Sequence, residues 1–248
     1  MKFYFFLFIF NLIIIQPLFA CDLTVRYEHF SPDQKSKKLQ WYGMDVDLAK
    51  TLLDKTGCRY RFVDIPWGRA ITLLKKGEID MMLGVSKVSN RSQFSHFIGP
   101  YRQETIVLAT LAAEAFFIEE IDELKKLDKP IAIQRGAFYG DEFETLLASD
   151  PYSDIHFVNI PSYDVKLYLL RNKRISGFFE EKSNVIFQAK HNPDFKDIVV
   201  NPFIIHSNPV YFAFSKSTVN DALIDKLRKS FYALKSEKMF ETILKKYQ

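Results

Sequence analysis

The sequence predicts an α/β protein, on three observations. Short apolar runs with strand character alternate with segments whose apolar residues recur at helical spacing. The stretch from Pro66 to Arg91 holds both in succession, a helix that stops at Gly77 and then the buried strand Ile79-Asp80-Met81-Met82-Leu83. That strand opens into a polar loop, Gly84-Val85-Ser86-Lys87-Val88-Ser89-Asn90-Arg91, at the place where open α/β sheets receive ligands. There Ser86 offers a hydroxyl, Gly84 lets a ligand approach the backbone, and Arg91 offers a planar fork matched to a carboxylate.

Residues 1–20 carry one lysine, a nearly unbroken apolar run, then Pro17 and Ala20. This is the pattern of a secretory signal cut after Ala20. The alternative is an uncleaved anchor, because the run approaches spanning length. No later stretch reaches the ~18 apolar residues that a membrane helix needs, so the remainder is expected to be soluble and exported. Loss of Lys2 with the signal lowers the formal net charge from +4 to +3. With Lys and Arg interspersed among Asp and Glu, that charge gives no case for nucleic-acid binding. Neither the two cysteines nor the five histidines fall at metal-ligand spacing, and no cofactor is expected. In an oxidising compartment the pair Cys21 and Cys58 suggests a disulfide. Each precedes a strand, and adjacent parallel strands would bring the two points together. Lipidation of Cys21 is the alternative.

In chain order, Leu23, Val25 and Tyr27 alternate into a first strand, followed by a loop through Phe30 and a polar tip at 33–38. Asp45 and Asp47 suit the start of a helix whose buried stripe is Leu48, Leu52 and Leu53, ended by Gly57. Tyr60, Phe62 and Val63 form a second strand leading into Pro66-Trp67. Ile106 to Thr110 is a buried strand by composition. A short helix is expected over Ile121–Lys126, a strand at Ile131–Ile133 with exit loop Gln134–Tyr139, and a helix over Asp141–Ala148. Strands at His156–Val158 and Ile175–Phe179 bracket a helix at Val165–Leu170. Another helix spans Ser183–Lys190. A strand at Tyr211–Ser215 and helices at Asp221–Phe231 and Lys235–Tyr247 complete the chain.

Pro66, Trp67, Arg69, Ala70, Leu74, Gly77, Asp80, Ser86, Arg91, Phe94, Phe97, Pro100 and Tyr101 stand in an ordered series. In this the chain resembles the extracellular solute-binding proteins of ABC transporters, in the group that binds polar amino acids, and the resemblance covers nearly all of residues 22–247. It implies a two-lobed periplasmic binding protein fold, each lobe an open sheet flanked by helices, with a ligand cleft between the lobes. Lobe 1 would be discontinuous, 21–108 plus 208–248, and lobe 2 would be 109–207. The resemblance further implies a monomer that captures a small polar solute and delivers it to a membrane permease.

By the same resemblance Arg91 would hold a carboxylate, with Ser86 and the Gly84 backbone assisting, and Glu181 would face an ammonium. The alternative for Arg91 is a tie to Glu104 or another acid, and for Glu181 a surface acid pair. Tyr27 or Phe30, and Trp67, would flank the ligand or pack in the core. Phe138 falls on a lobe-2 loop used on the ligand, but Ala137 and Phe138 stand where the family carries small hydroxyl residues. Ser176 stands where it carries Asp. An enzyme is the rival reading, since the fold also hosts periplasmic cyclohexadienyl dehydratases acting on prephenate or arogenate, and a cleft Glu could serve as general acid.

Overall fold

In this computed structural model the described residues are 21–27, 41 and 43–247. The signal segment at 1–20 and the loop expected through Phe30 to 38 lie outside them. The first part of the chain gives β1 (Asp22–Tyr27), α1 (Met44–Thr56), β2 (Arg59–Asp64), α2 (Trp67–Lys76), β3 (Met81–Ser86), the short α3 (Ser89–Ser92) and the long β4 (Ser95–Leu111). Next come β5 (Ile131–Ile133), α4 (Asp141–Ser149), α5 (Ser153–His156), β6 (Phe157–Asn159), α6 (Tyr163–Arg171), β7 (Gly177–Glu181) and α7 (Lys182–His191). The long β8 (Ile198–Ser215) returns, and α8 (Asp221–Ser236) and α9 (Met239–Leu244) follow.

The strands join in the order β2-β1-β3-β8-β4-β7-β5-β6. β1 and β2 are parallel, as are β5 and β7, while β4 and β8 pair antiparallel through the middle. Each half of the sheet buries its own core. On one side the fully buried Leu48, Leu52 and Leu53 of α1 meet β1, the end of β8, and Leu227 and Phe231 of α8. The apolar face read at Ala70 and Leu74 packs α2 onto Met82 and Ala213. On the other side Phe143 of α4 lies edge-on to Phe157 and Phe179, at 4.9 and 5.0 Å between ring centres. Edge-to-face contacts suit the positive rim and negative face of aromatic rings. Leu167 and Leu170 of α6 close the opposite face of β7 at Phe178.

Several elements differ from the sequence expectation. The segment from Ser92 to Tyr101 and the strand at Ile106–Thr110 fuse into the single β4, and the return crossing at Phe203–Pro209 is the middle of β8. Apolar composition alone did not show this, because both strands carry polar residues where they pass between the halves. The expected strand at His156 begins at Phe157. His156 ends α5 instead, its Nδ1 lying 2.6 Å from Asp150 Oδ2. Ile121–Lys126 is a 3-10 helix. Lys238, in the left-handed region with φ 54°, separates α8 from α9 within the segment expected as one terminal helix.

The parallel pairing of Asp22 with Arg59 brings together the cysteines that immediately precede them, Cys21 and Cys58, and the two are disulfide-bonded with Cα atoms 4.8 Å apart. The bond closes a loop of 37 residues, which in the chain-entropy picture stabilises the fold by about 4 kcal/mol. Replacing both cysteines by serine is therefore expected to lower stability by a few kcal/mol, measured by urea denaturation. An unchanged midpoint, or two free thiols in the unreduced protein by intact mass, would refute this.

Candidate functional site

A cavity of about 390 Å³ opens between the two halves. Its charged wall starts on β4. Arg102 and Glu104 stand two residues apart, which on a strand places them on one face, and both line the cavity. Arg102 donates from Nε and Nη2 to the two carboxylate oxygens of Asp45, at 2.8 and 2.9 Å. Burial alone would weaken the hold of this guanidinium on its proton, but the fork onto Asp45 outweighs it and raises the pKa well above the ordinary arginine value. Asp45 was expected to serve the start of α1. The residue preceding that helix is Gly43, no side chain caps it, and the Asp45 carboxylate belongs to the cleft. Asp47 instead accepts from Tyr247 Oη at 2.7 Å.

Glu181 reaches the same wall from the end of β7, its Oε1 3.7 Å from Arg102 Nη1 and its Oε2 accepting from Ser183 Oγ. Burial raises its pKa, against the pull of Arg102 and Ser183. Glu104 is pushed further. Removal from water, with Glu181, Asp45 and Glu180 nearby, lifts its carboxyl to about 8 in spite of Arg102. Among the described residues no group donates a hydrogen bond to that carboxyl. Lys166, 2% exposed, extends from α6 with its Nζ 3.9 Å from Glu180 Oε2 and 4.8 Å from the centre of the Tyr163 ring.

The opposite wall is built around Trp67. Arg26 lies over its ring at 5.1 Å and donates from Nε to the Ile65 carbonyl at 2.9 Å. Trp67 Nε1 donates to the Gly136 carbonyl of the other half at 3.0 Å, and Arg91 Nη2 donates to the same oxygen at 2.8 Å. Arg91 Nη1 donates to the Ser86 carbonyl at 3.1 Å. One carbonyl thus receives two donors across the cleft. The contact is close because two glycines face each other there: a Cβ on Gly68 would sit 2.8 Å from the Arg135 carbonyl oxygen, and Gly136 has φ 75°. Burial lowers the Arg91 pKa, with Glu104 and Glu144 opposing.

Of the residues singled out in the sequence, Tyr27, Trp67, Gly84 and Glu181 line the cavity. Tyr27 is also buried in the core edge-on to Trp41, so it serves packing and wall together. The Gly84 amide donates to Tyr101 Oη at 2.7 Å, and Asp45 Oδ2 approaches to 3.3 Å of where a Cβ would stand. Arg91 and Ser86 are buried beside the cavity rather than in its lining. Phe138 lies outside the lining too, edge-on to His206 at 5.3 Å. Ser176 donates to the Lys129 carbonyl at 3.0 Å, a role within its own half. Sequence reasoning missed Asp45, Arg102, Lys166 and Glu180 as cavity residues, and met Glu104 only as a partner for Arg91. The available signals were a charged i, i+2 pair, Arg102 and Glu104, just before the apolar run Ile106–Ala109, and a lysine three residues after Tyr163 on the buried stripe of α6. Among the described residues, no cluster of three His, Cys, Asp or Glu could hold a metal ion, and no helix is long and apolar enough to cross a membrane.

This mixed sheet flanked by helices, with a charged cleft between two halves, is the architecture of a periplasmic binding protein. The chain belongs to the bacterial extracellular solute-binding proteins, family 3, whose model matches residues 23–248. No match is found among curated protein sequences. Solved structures show the same fold. An ancestral arginine-binding protein bound to glutamine superposes with a TM-score of 0.74 at 20% identity, over 91% of this chain and 97% of that one. The arginine-, lysine-, histidine-binding protein ArtJ from Geobacillus stearothermophilus gives 0.73 at 22% identity, over 92% and 94%. The ancestral amino acid-binding protein AncCDT-1, a precursor of cyclohexadienyl dehydratase, gives 0.72 at 20% identity, over 91% and 95%.

Asp45→Asn removes the counter-charge of a guanidinium only 7% exposed. The expected loss is roughly 2–3 kcal/mol, below the cost of breaking a fully buried pair because Asp45 keeps some contact with water. Urea denaturation checks it, and a loss under about 0.5 kcal/mol, the scale of an ordinary surface substitution, would mean that water already screens the pair.

Proposed function

We propose that this protein captures a small polar solute, an amino acid, in the interlobe cavity and delivers it to a membrane ABC permease. It acts as an exported monomer in the extracytoplasmic space, led there by a signal at residues 1–20. The carrying observation is a cavity lined from both halves by charges of both signs: Arg26, Asp45, Arg102 and Glu104 from one side, Lys166, Glu180 and Glu181 from the other. The Cys21–Cys58 disulfide is consistent with an oxidising compartment.

In this reading Glu181 meets the ammonium and the Arg26–Trp67–Arg91 wall meets the carboxylate. Arg91 already holds an oxygen of the other lobe, the Gly136 carbonyl, and a ligand carboxylate exchanges with it while Ser86 stays behind the fork. Lobe 1 (21–108 and 208–248) and lobe 2 (109–207) close as bodies. A solute touching both stabilises the closed form, because only differential affinity shifts such an equilibrium.

A second reading, acid-catalysed elimination on a ring acid, is favoured by one observation: a cleft carboxyl lifted to about 8 is protonated at neutral pH and could donate. The other acids of the wall, Asp45, Glu180 and Glu181, weigh against it, since prephenate is itself an anion. Turnover of prephenate or arogenate by the purified protein would establish it.

A thermal-shift screen of the mature chain against amino acids, polyamines and organic acids tests the binding reading. At a solute concentration ~100 times Kd, binding adds about 2.7 kcal/mol of stability, and silence across the whole panel would count against it. Once a carboxylate solute is known, Arg91→Ala should weaken its binding tenfold to a hundredfold, the equivalent of a charge-assisted bond of ~1.5–3 kcal/mol. Arg91→Lys should recover only part, having a point charge in place of a fork. Gly68→Ala should weaken binding without touching the solute, by wedging Arg135 away; unchanged affinity by calorimetry would show that binding does not require this contact.

A further inference from the structure

We infer that Glu104 is the counter-ion of a positively charged group on the solute, so that the cavity selects an organic cation. This rests on the binding reading above and names the class of solute.

The geometry accounts for each of the other charges in the wall. Arg102 on β4 is held at both ends of the Asp45 carboxylate from α1. Lys166 on α6 faces Glu180 and lies against the rings of Tyr163 and Phe178. Arg26 on β1 is bonded through Nε to Ile65 and stacked on Trp67. Among the acids, Glu180 accepts from the Glu181 amide and Asn184 Nδ2, and Glu181 accepts from Ser183 with Arg102 beside it. His191 also lines the cavity, from the end of α7. Glu104 alone of these carboxyls accepts no hydrogen bond from the described residues, although it lines the cavity. Arg26, Arg102 and Lys166 in the lining, with Arg91 buried beside it, match the four acids in number, and the one acid with an open coordination is Glu104. A cation entering here finds a carboxylate with no competing donor. An anion would lose its water beside a carboxyl that can offer it no countercharge.

The protonation of Glu104 gives a signature that a merely structural acid would lack. With its carboxyl near 8, Glu104 is neutral at pH 6–7 before binding. A cation favours the charged form, so binding releases that proton to solvent. Affinity therefore rises with pH, by roughly tenfold per unit below 8 where the bound form stays ionised, and levels off above it. The guanidinium and amine of agmatine do not titrate between pH 6 and 8, so the slope reports the protein.

The test is calorimetric titration of the mature chain with arginine, agmatine, lysine and glutamate at pH 6, 7 and 8, in phosphate and in Tris. The expected result is binding of at least one of the cations more tightly than glutamate. At pH 7 the apparent enthalpy should differ between buffers by the ionisation of close to one proton. Glu104→Gln should lose tenfold or more in affinity together with the pH slope, and Glu104→Asp should keep part of both. If Glu104→Gln does not fold, the proton release of the wild-type chain decides alone. Preference for glutamate would overturn the inference and leave the binding reading standing, as would cation binding with no proton release or with full affinity in folded Glu104→Gln. Binding of none of the four overturns the inference, and the wider solute screen then decides the binding reading separately.

Discussion

The antiparallel ladder between β4 and β8 is the constraint on which the rest depends. It runs from Ser95 paired with Ser215 to Leu111 paired with Ile198, and each half of the molecule is assembled on one end of it. β3 joins β8 on one side and β7 joins β4 on the other. The ladder slips register between Ile98 and Arg102, and again between Ile106 and Ala109. Arg102, Gln103, Glu104 and Thr105 lie between these irregularities. Bulges twist a strand and re-aim its side chains, so the segment that crosses from one core to the other is also the one that presents charge to the cavity.

That arrangement has an electrostatic cost, which the fold offsets in one place and leaves standing in another. Arg102 and Asp45 satisfy each other in a bidentate pair, and Tyr101 is stacked on Phe212 behind them at 4.1 Å while its hydroxyl accepts from Gly84. Glu104 has no such arrangement. Its raised carboxyl means that folding favours the protonated form, so its contribution to stability is present below the ordinary carboxylate range and is lost as the pH rises through about 8. A residue of this kind weakens the chain by itself when it is ionised.

The parts that were legible in the sequence rest on local pattern. Helix α2, its stop at Gly77 and strand β3 follow from helical spacing, a left-handed cap and an apolar run, all within one stretch of chain. The disulfide followed from two cysteines each placed before a strand. Of the cavity residues, Gly84 was read from the loop after β3, and Tyr27, Trp67 and Glu181 from the family resemblance. What stayed hidden depends on pairs distant in sequence. Asp45 reads as a helix-start acid until α1 is laid beside β4, 57 residues away, where it becomes half of an ion pair. Arg91 suggested as its partner a ligand carboxylate or, as the alternative, an acidic side chain such as Glu104. The partners it has are the carbonyls of Ser86 and Gly136, and since every residue carries a carbonyl, composition could not single them out. The long strands β4 and β8 were hidden for a related reason: a strand that leaves one core and enters another loses its apolar alternation midway.

The carbonyl of Gly136 has a consequence for how such a protein diverges. Side chains around a cavity can be exchanged one at a time, and each exchange alters what fits. A main-chain oxygen is an acceptor that no single codon change can delete. The acceptor in this contact is therefore held by the path of the backbone, apart from the side chains of the cavity wall. Glu104, Glu181 or Lys166 can be exchanged while the two halves keep the same point of contact, so that the joining of the halves and the chemistry of the cavity wall are inherited separately.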